Sequence, residues 1–183
     1  IEKNIEIFVE AELRSKALMK IHGKGLKTIL REATYIISNK HYALELHGKP
    51  SVNNTSDKYC SNTLGLNKIE QSLLRMLDIY SKCKYLIVTL GDQGCICVGK
   101  LTGNAVPKVE NMKHKNVYVM YHVDAYHLNP TENPIVDTTG AGDAFIGGFI
   151  EGIINKYGIE TTLKRASFIG AMNCLKGYGA RYN

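Results

Sequence analysis

The sequence predicts an α/β fold, with a doubly wound, mostly parallel sheet flanked by helices. Three observations carry that expectation. Strand-like and helix-like stretches alternate along the chain, the pattern of layered α/β architectures. Lys84–Leu90 holds the unbroken apolar run Tyr85, Leu86, Ile87 and Val88, which suits a strand buried on both faces, as parallel strands are. Asp137–Asp143 is a glycine-rich turn that feeds a helix. Composition permits the core: 44 % of the 183 residues are hydrophobic and 22 % charged, too apolar for wholesale disorder. The 17 Gly follow no period and no heptad pattern persists, which excludes collagen-like and coiled-coil rods. No stretch reaches the roughly 18 apolar residues of a membrane span, and the first residues lack the charged-then-apolar pattern of a signal peptide.

Asn4–Val9 alternates loosely and reads as a strand. With Ile1 in first place, the chain is expected to be a fragment that starts in mid-fold. Ala11–Glu32 carries Leu13, Ala17, Leu18, Ile21, Leu26, Ile29 and Leu30 at near-helical spacing, and Gly23 and Gly25 divide it into two pieces. Thr34–Ser38 reads as a short buried strand ending at Asn39, and Lys40–Leu46 as a short helix. Residues 48–65 are rich in Ser, Asn, Thr and Lys and read as a flexible loop or insertion. Leu66–Lys82 places Ile69, Leu73, Leu74, Leu77 and Tyr80 on one helical face. After the Lys84–Leu90 strand come a turn at Gly91–Gly94 and a strand at Cys95–Val98. Gly99–Asn116 is mostly polar, and Val117–Val123 reads as another strand. Helices follow at Ala144–Lys156, where Phe145, Phe149 and Ile153 form a core-facing row, and at Thr161–Cys174.

Lys and Arg number 23 against 17 Asp and Glu, a formal charge of +6. The basic residues are scattered, with no basic and aromatic stripe of a nucleic-acid footprint, and Lys108–Lys115 reads as a solvated loop. The five cysteines, Cys60, Cys83, Cys95, Cys97 and Cys174, are odd in number, which argues for reduced thiols in a cytoplasm-like compartment. Their spacing does not suit a metal site, and none of the six His pairs as metal ligands; His41 and His47 read as surface residues.

The segment that carries chemistry is Val136-Asp137-Thr138-Thr139-Gly140-Ala141-Gly142-Asp143-Ala144-Phe145. A helix starting near Gly140 or Ala141 exposes first-turn N–H groups that have no intrahelical partner. Gly and Ala let a ligand approach them closely, and the helix dipole adds partial positive charge. The result is a seat for an anion such as phosphate. Asp143 sits beside it, where a carboxylate can take a proton from an attacking hydroxyl. The bland alternative is a tight turn with Asp143 as a dipole-favoured helix-start residue. The segment is not a Walker A loop, because no Lys-Ser/Thr follows the second Gly.

Asp137-Thr138-Thr139-Gly140-Ala141-Gly142-Asp143-Ala144-Phe145 resembles the C-terminal signature of the ribokinase-like, or pfkB, carbohydrate kinases. Val88-Thr89-Leu90-Gly91-Asp92-Gln93-Gly94-Cys95 resembles that family's ATP-contacting strand-turn and precedes the first motif, in the family's order. Phe8–Arg14, Tyr35–Asn39 and the tail around Cys174 and Gly179-Ala180-Arg181 are similar to its ketohexokinase-like and plant pfkB branch. The resemblance covers the C-terminal part of the family's fold, and the N-terminal part, with the lid and most sugar contacts, is expected to lie outside this sequence.

The resemblance implies Asp143 as catalytic base and the Gly140, Ala141 and Gly142 amides as the anion hole for the γ-phosphate of ATP. It implies that Thr89, Gly91 and Gly94 line the nucleotide's phosphates and ribose, and that Asn173 and Gly177 border the adenine pocket. Asn39 falls where the family often has an asparagine in the phosphate or Mg²⁺ shell, but the usual Asn-x-x-Glu is here Asn39-Lys40-His41-Tyr42. Asp137 and Thr139 resemble positions that hold a monovalent cation such as K⁺. The expected function is ATP- and Mg²⁺-dependent phosphoryl transfer to a hydroxyl of a sugar or related small molecule, in the cytoplasm, with no nucleic-acid or membrane partner. A nucleoside (adenosine-type) kinase is one alternative, and a catalytically inactive nucleotide-binding or scaffolding module is another. The isolated fragment is expected to be inactive. Its exposed sheet edge wants a partner, either the absent segment or a second copy in a homodimer.

Overall fold

The computed structural model describes residues 5–11, 25–47, 67–101, 117–129, 131–132 and 134–175. The expected 48–65 insertion, the Lys108–Lys115 loop, Cys60 and Gly177 lie outside the described residues. Strands β1 (Phe8–Ala11), β2 (Tyr35–Asn39), β3 (Tyr85–Thr89), β4 (Cys95–Leu101) and β5 (Val117–Val123) form one sheet in the order β1-β2-β3-β4-β5. β1 and β2 are parallel, with Phe8 opposite Tyr35, and helical residues 25–32 lie in the crossover that parallel neighbours require. β3 and β4 are joined by residues 90–94 alone, and the Lys100 N–H donates to Lys84 O (3.4 Å). So short a link joins only antiparallel neighbours. The α/β expectation is met, and this hairpin makes the sheet mixed.

The chain divides into two compact units. The first comprises Ile1–Val88 and Ile96–Met120. Its core follows the apolar pattern: Leu86, Ile87 and Val88 are fully buried. Helix α1 (Lys40–His47) starts directly after β2 because the Asn39 Oδ1 accepts from the Tyr42 N–H (2.9 Å), the usual service of an N-cap asparagine. Helix α2 spans Lys68–Ile79, shorter at both ends than the sequence suggests. Asn67 sets its start through a capping box: its Oδ1 accepts from the Ile69 and Glu70 N–H groups while Glu70 accepts from the Asn67 N–H. Leu73, Met76 and Leu77 form its buried face, and α2 packs against α1.

The second unit comprises Thr89–Cys95 and Tyr121–Asn183. Helices α3 (Ala141–Ile154) and α4 (Ile159–Asn173) pack against each other as an antiparallel pair. Small residues set their separation. A Cβ on Gly152 would lie 2.6 Å from Thr162 Cγ2, one on Gly148 2.8 Å from Ile169 Cδ1, and one on Gly170 3.1 Å from Ala141 O. Phe149, Leu163 and Ala166 are fully buried beside these contacts, and Phe145 is buried as expected.

Candidate functional site

The loop before α3 is folded by its own side chains. The Asp137 Oδ1 accepts from the Thr139 N–H (3.0 Å) and from Thr139 Oγ1 (2.8 Å). Asn173, at the end of α4, donates from Nδ2 to Thr139 O (2.9 Å). The Val136 N–H donates to Cys174 O (2.9 Å), beside an antiparallel bridge between Ile135 and Leu175. The loop is thus held to the end of α4 at two points.

Gly140 is the N-cap of α3, in the left-handed region at φ 79°, and no side chain caps the helix. A residue with a Cβ is strained there, whereas glycine is not. The Ala141 N–H donates to Thr138 O (3.1 Å). Of the three amides expected to form an anion hole, that of Ala141 is therefore already committed. The next amides, Gly142 and Asp143, occupy helix positions with no intrahelical acceptor. Asp143 lies in the first turn and its side chain is exposed.

β3 ends at Thr89, and a 3₁₀ turn at Gly91–Gln93 follows, closed by the Leu90 N–H to Gly94 O (2.8 Å). Gly94 (φ 84°) presses its backbone against the exit of β5: an added Cβ would sit 2.0 Å from Val123 O and 2.6 Å from the Ala125 nitrogen.

These pieces enclose a cavity of about 390 Å³ within the second unit. Thr89, Gly91, Asp92 and Gly94 line it from the turn, and Thr138, Ala141, Gly142 and Phe145 from the start of α3. Ala125, Tyr126, His127 and Leu128 form a third wall, and Ser167, Gly170, Ala171 and Cys174 of α4 with its C-cap a fourth. The sequence-selected Thr89, Gly91, Gly94, Ala141 and Gly142 thus share one cavity. Gly140, Asp143, Asp137, Thr139 and Asn173 are not among its lining residues, and Asn39 belongs to the first unit. The 125–128 wall was not anticipated, and the last helix borders the cavity through Ser167, Gly170 and Ala171 instead of the expected Asn173. The position of 125–128 just after a strand is the available signal, since ligands of open α/β sheets collect beyond strand C-termini.

Burial, reinforced by the nearby Asp137 charge, pushes the Cys174 thiol up. Its Sγ donates to Gly170 O (3.4 Å). Among the described residues no group of three or more His, Cys, Asp or Glu could hold a metal ion. Among the described residues Cys83, Cys95, Cys97 and Cys174 are buried and none is in a disulfide.

A family pattern described as pfkB family carbohydrate kinase matches residues 16–181. Mouse ribokinase is 33 % identical over 93 residues, half of this chain and 23 % of its own length. A Burkholderia thailandensis nucleoside kinase solved with inosine shares the fold at TM-score 0.56 and 22 % identity, over 96 % of this chain and 43 % of that one. An E. coli protein described as a ribokinase II, solved with ATP and Mg²⁺, aligns at TM-score 0.57 and 20 % identity, over 90 % and 41 %. The chain therefore spans less than half the length of these relatives. With a match that runs through the Thr89–Gly94 turn, the cavity and the start of α3, this chain belongs to the pfkB family of carbohydrate kinases.

Proposed function

We propose that the chain is the ATP-binding and catalytic portion of an ATP-dependent kinase that phosphorylates a hydroxyl of a sugar or related small molecule. The observation that carries this reading is the shared cavity. It joins the Thr89–Gly94 turn to the uncapped start of α3. Its volume suits a nucleotide base and ribose, and the helix start is chemically fitted to the phosphates. The residues present therefore fit ATP. Mg²⁺, which takes one or two carboxylates together with phosphates and water, would neutralise phosphate charge when bound.

In this reading Thr89, Gly91 and Gly94 face the nucleotide. The amides of Gly140 and Gly142 stabilise charge on the transferring group, each donor contributing about 3 kcal/mol in comparable sites. Asp143 accepts the proton of the acceptor hydroxyl, a role worth about 10²–10⁴ in rate. Asp137 and Thr139 keep the loop folded, and a K⁺ ion beside them is part of the same proposal. The buried reduced cysteines support a cytoplasmic setting. Among the described residues no helix is long and apolar enough to cross a membrane.

One observation favours a second reading. Asn39 lacks the usual following Glu and spends its Oδ1 on capping α1, which suits an inactive nucleotide-binding module. The test is a phosphotransfer screen of the full-length protein with ATP and Mg²⁺ against a ketohexose, a pentose and a nucleoside. Transfer to one of these supports the kinase, and the nucleoside arm decides the adenosine-type alternative. ATP binding by calorimetry without transfer to any acceptor would select the inactive module.

A further inference from the structure

We infer that Ser167 is a positioning residue for the nucleotide cavity: its hydroxyl fixes the wall formed by residues 124–128, a role that rests on the kinase reading above. Those residues have no regular secondary structure. Among the described residues their two hydrogen bonds both go to Ser167. The Tyr126 N–H donates to Ser167 Oγ (3.0 Å), and Ser167 Oγ donates to Asp124 O (3.3 Å). A hydroxyl supplies one donor and two acceptor sites, so one side chain serves both backbone groups. The neighbouring Phe168 adds an edge-on contact to the Tyr126 ring, with centroids 4.9 Å apart. On the opposite side the Gly94 backbone abuts Val123 and Ala125. The segment is therefore set between the turn and α4, and Ala125 and Tyr126 line the cavity together with Ser167 itself. Neither Ser167 nor its partners are deeply buried, so loss of the hydroxyl releases the wall without opening the core.

The experiment measures ATP affinity by calorimetry and the thermal midpoint for full-length wild type, Ser167→Ala and Ser167→Thr. The Ala variant is expected to bind ATP about tenfold more weakly, the scale of one to two neutral hydrogen bonds, with its midpoint within about 2 °C of wild type. The Thr variant, which keeps the hydroxyl, is expected to return to within about twofold. Unchanged ATP affinity in Ser167→Ala, or no recovery in Ser167→Thr, overturns the role. So does a Ser167→Ala protein with no folding transition, because the hydroxyl would then be holding the fold. Wild-type protein that binds no ATP overturns the kinase reading, and this inference with it.

Discussion

Replacing Gly94 with Ala should damage stability and nucleotide binding together. The backbone there holds φ 84° and ψ −129°, a conformation essentially reserved for glycine, and strain of this kind costs about 1–3 kcal/mol. The new Cβ would also lie 2.0 Å from Val123 O and 2.6 Å from both the Ala125 nitrogen and the Asp124 carbonyl carbon. These are backbone atoms, so relief requires moving the β5 exit, at a further cost of about 1–3 kcal/mol. The sum of about 2–6 kcal/mol is a large share of the 5–15 kcal/mol that holds a typical domain together. Gly91 is the matched control. It also has a positive φ (67°), but nothing lies within 4 Å of its added Cβ, so Ala should cost only about 1–2 kcal/mol. Urea denaturation of the full-length protein measures both, and ATP calorimetry reports the displaced wall. A Gly94→Ala protein within about 0.5 kcal/mol of wild type, or a Gly91→Ala protein equally destabilised, would refute the reasoning.

Two further outcomes follow from the first unit. Asn67→Ala removes the capping box of α2 and should lower stability by about 1 kcal/mol; no change in the urea midpoint would contradict the capping role. Burial pushes the Cys83 thiol from 9.0 up to about 12. Its contribution is complete below pH 9 and is lost as pH rises toward 12, because the unfolded chain gives up its proton first. Cys83→Ala should therefore flatten the alkaline decline by up to about 1.4 kcal/mol per pH unit, read from thermal or urea unfolding between pH 8 and 11. A variant with the same alkaline slope as wild type would contradict this.

Local pattern made much of the fold legible. The Tyr85–Val88 run became β3, and the amphipathic row on Leu73 and Leu77 became the buried face of α2. The glycine-rich segment proved to be a helix start: α3 begins at Ala141, one of the two starts its motif suggests and three residues ahead of the helix read from the apolar row at Ala144–Lys156. Glycine in a first turn costs little there, and the N-cap Gly140 supplies the conformation that launches the helix. The mixed sheet was less visible, because an apolar run such as β3 reads alike in parallel and antiparallel surroundings. Least legible was the 124–128 wall. It has no periodicity, and its place depends on Gly94 and on Ser167, both distant in sequence. The commitment of the Ala141 amide to Thr138 is a detail of turn geometry that residue types alone do not specify.

The most direct test of the proposed chemistry is a paired measurement on Asp143→Asn in the full-length protein: ATP affinity by calorimetry and phosphotransfer turnover on whichever acceptor the wild type uses. Asn is nearly isosteric with Asp but cannot take up the acceptor's proton. ATP affinity should stay within about threefold while turnover falls at least about a hundredfold. Turnover close to that of the wild type would show that the carboxylate beside the α3 amides is not the base.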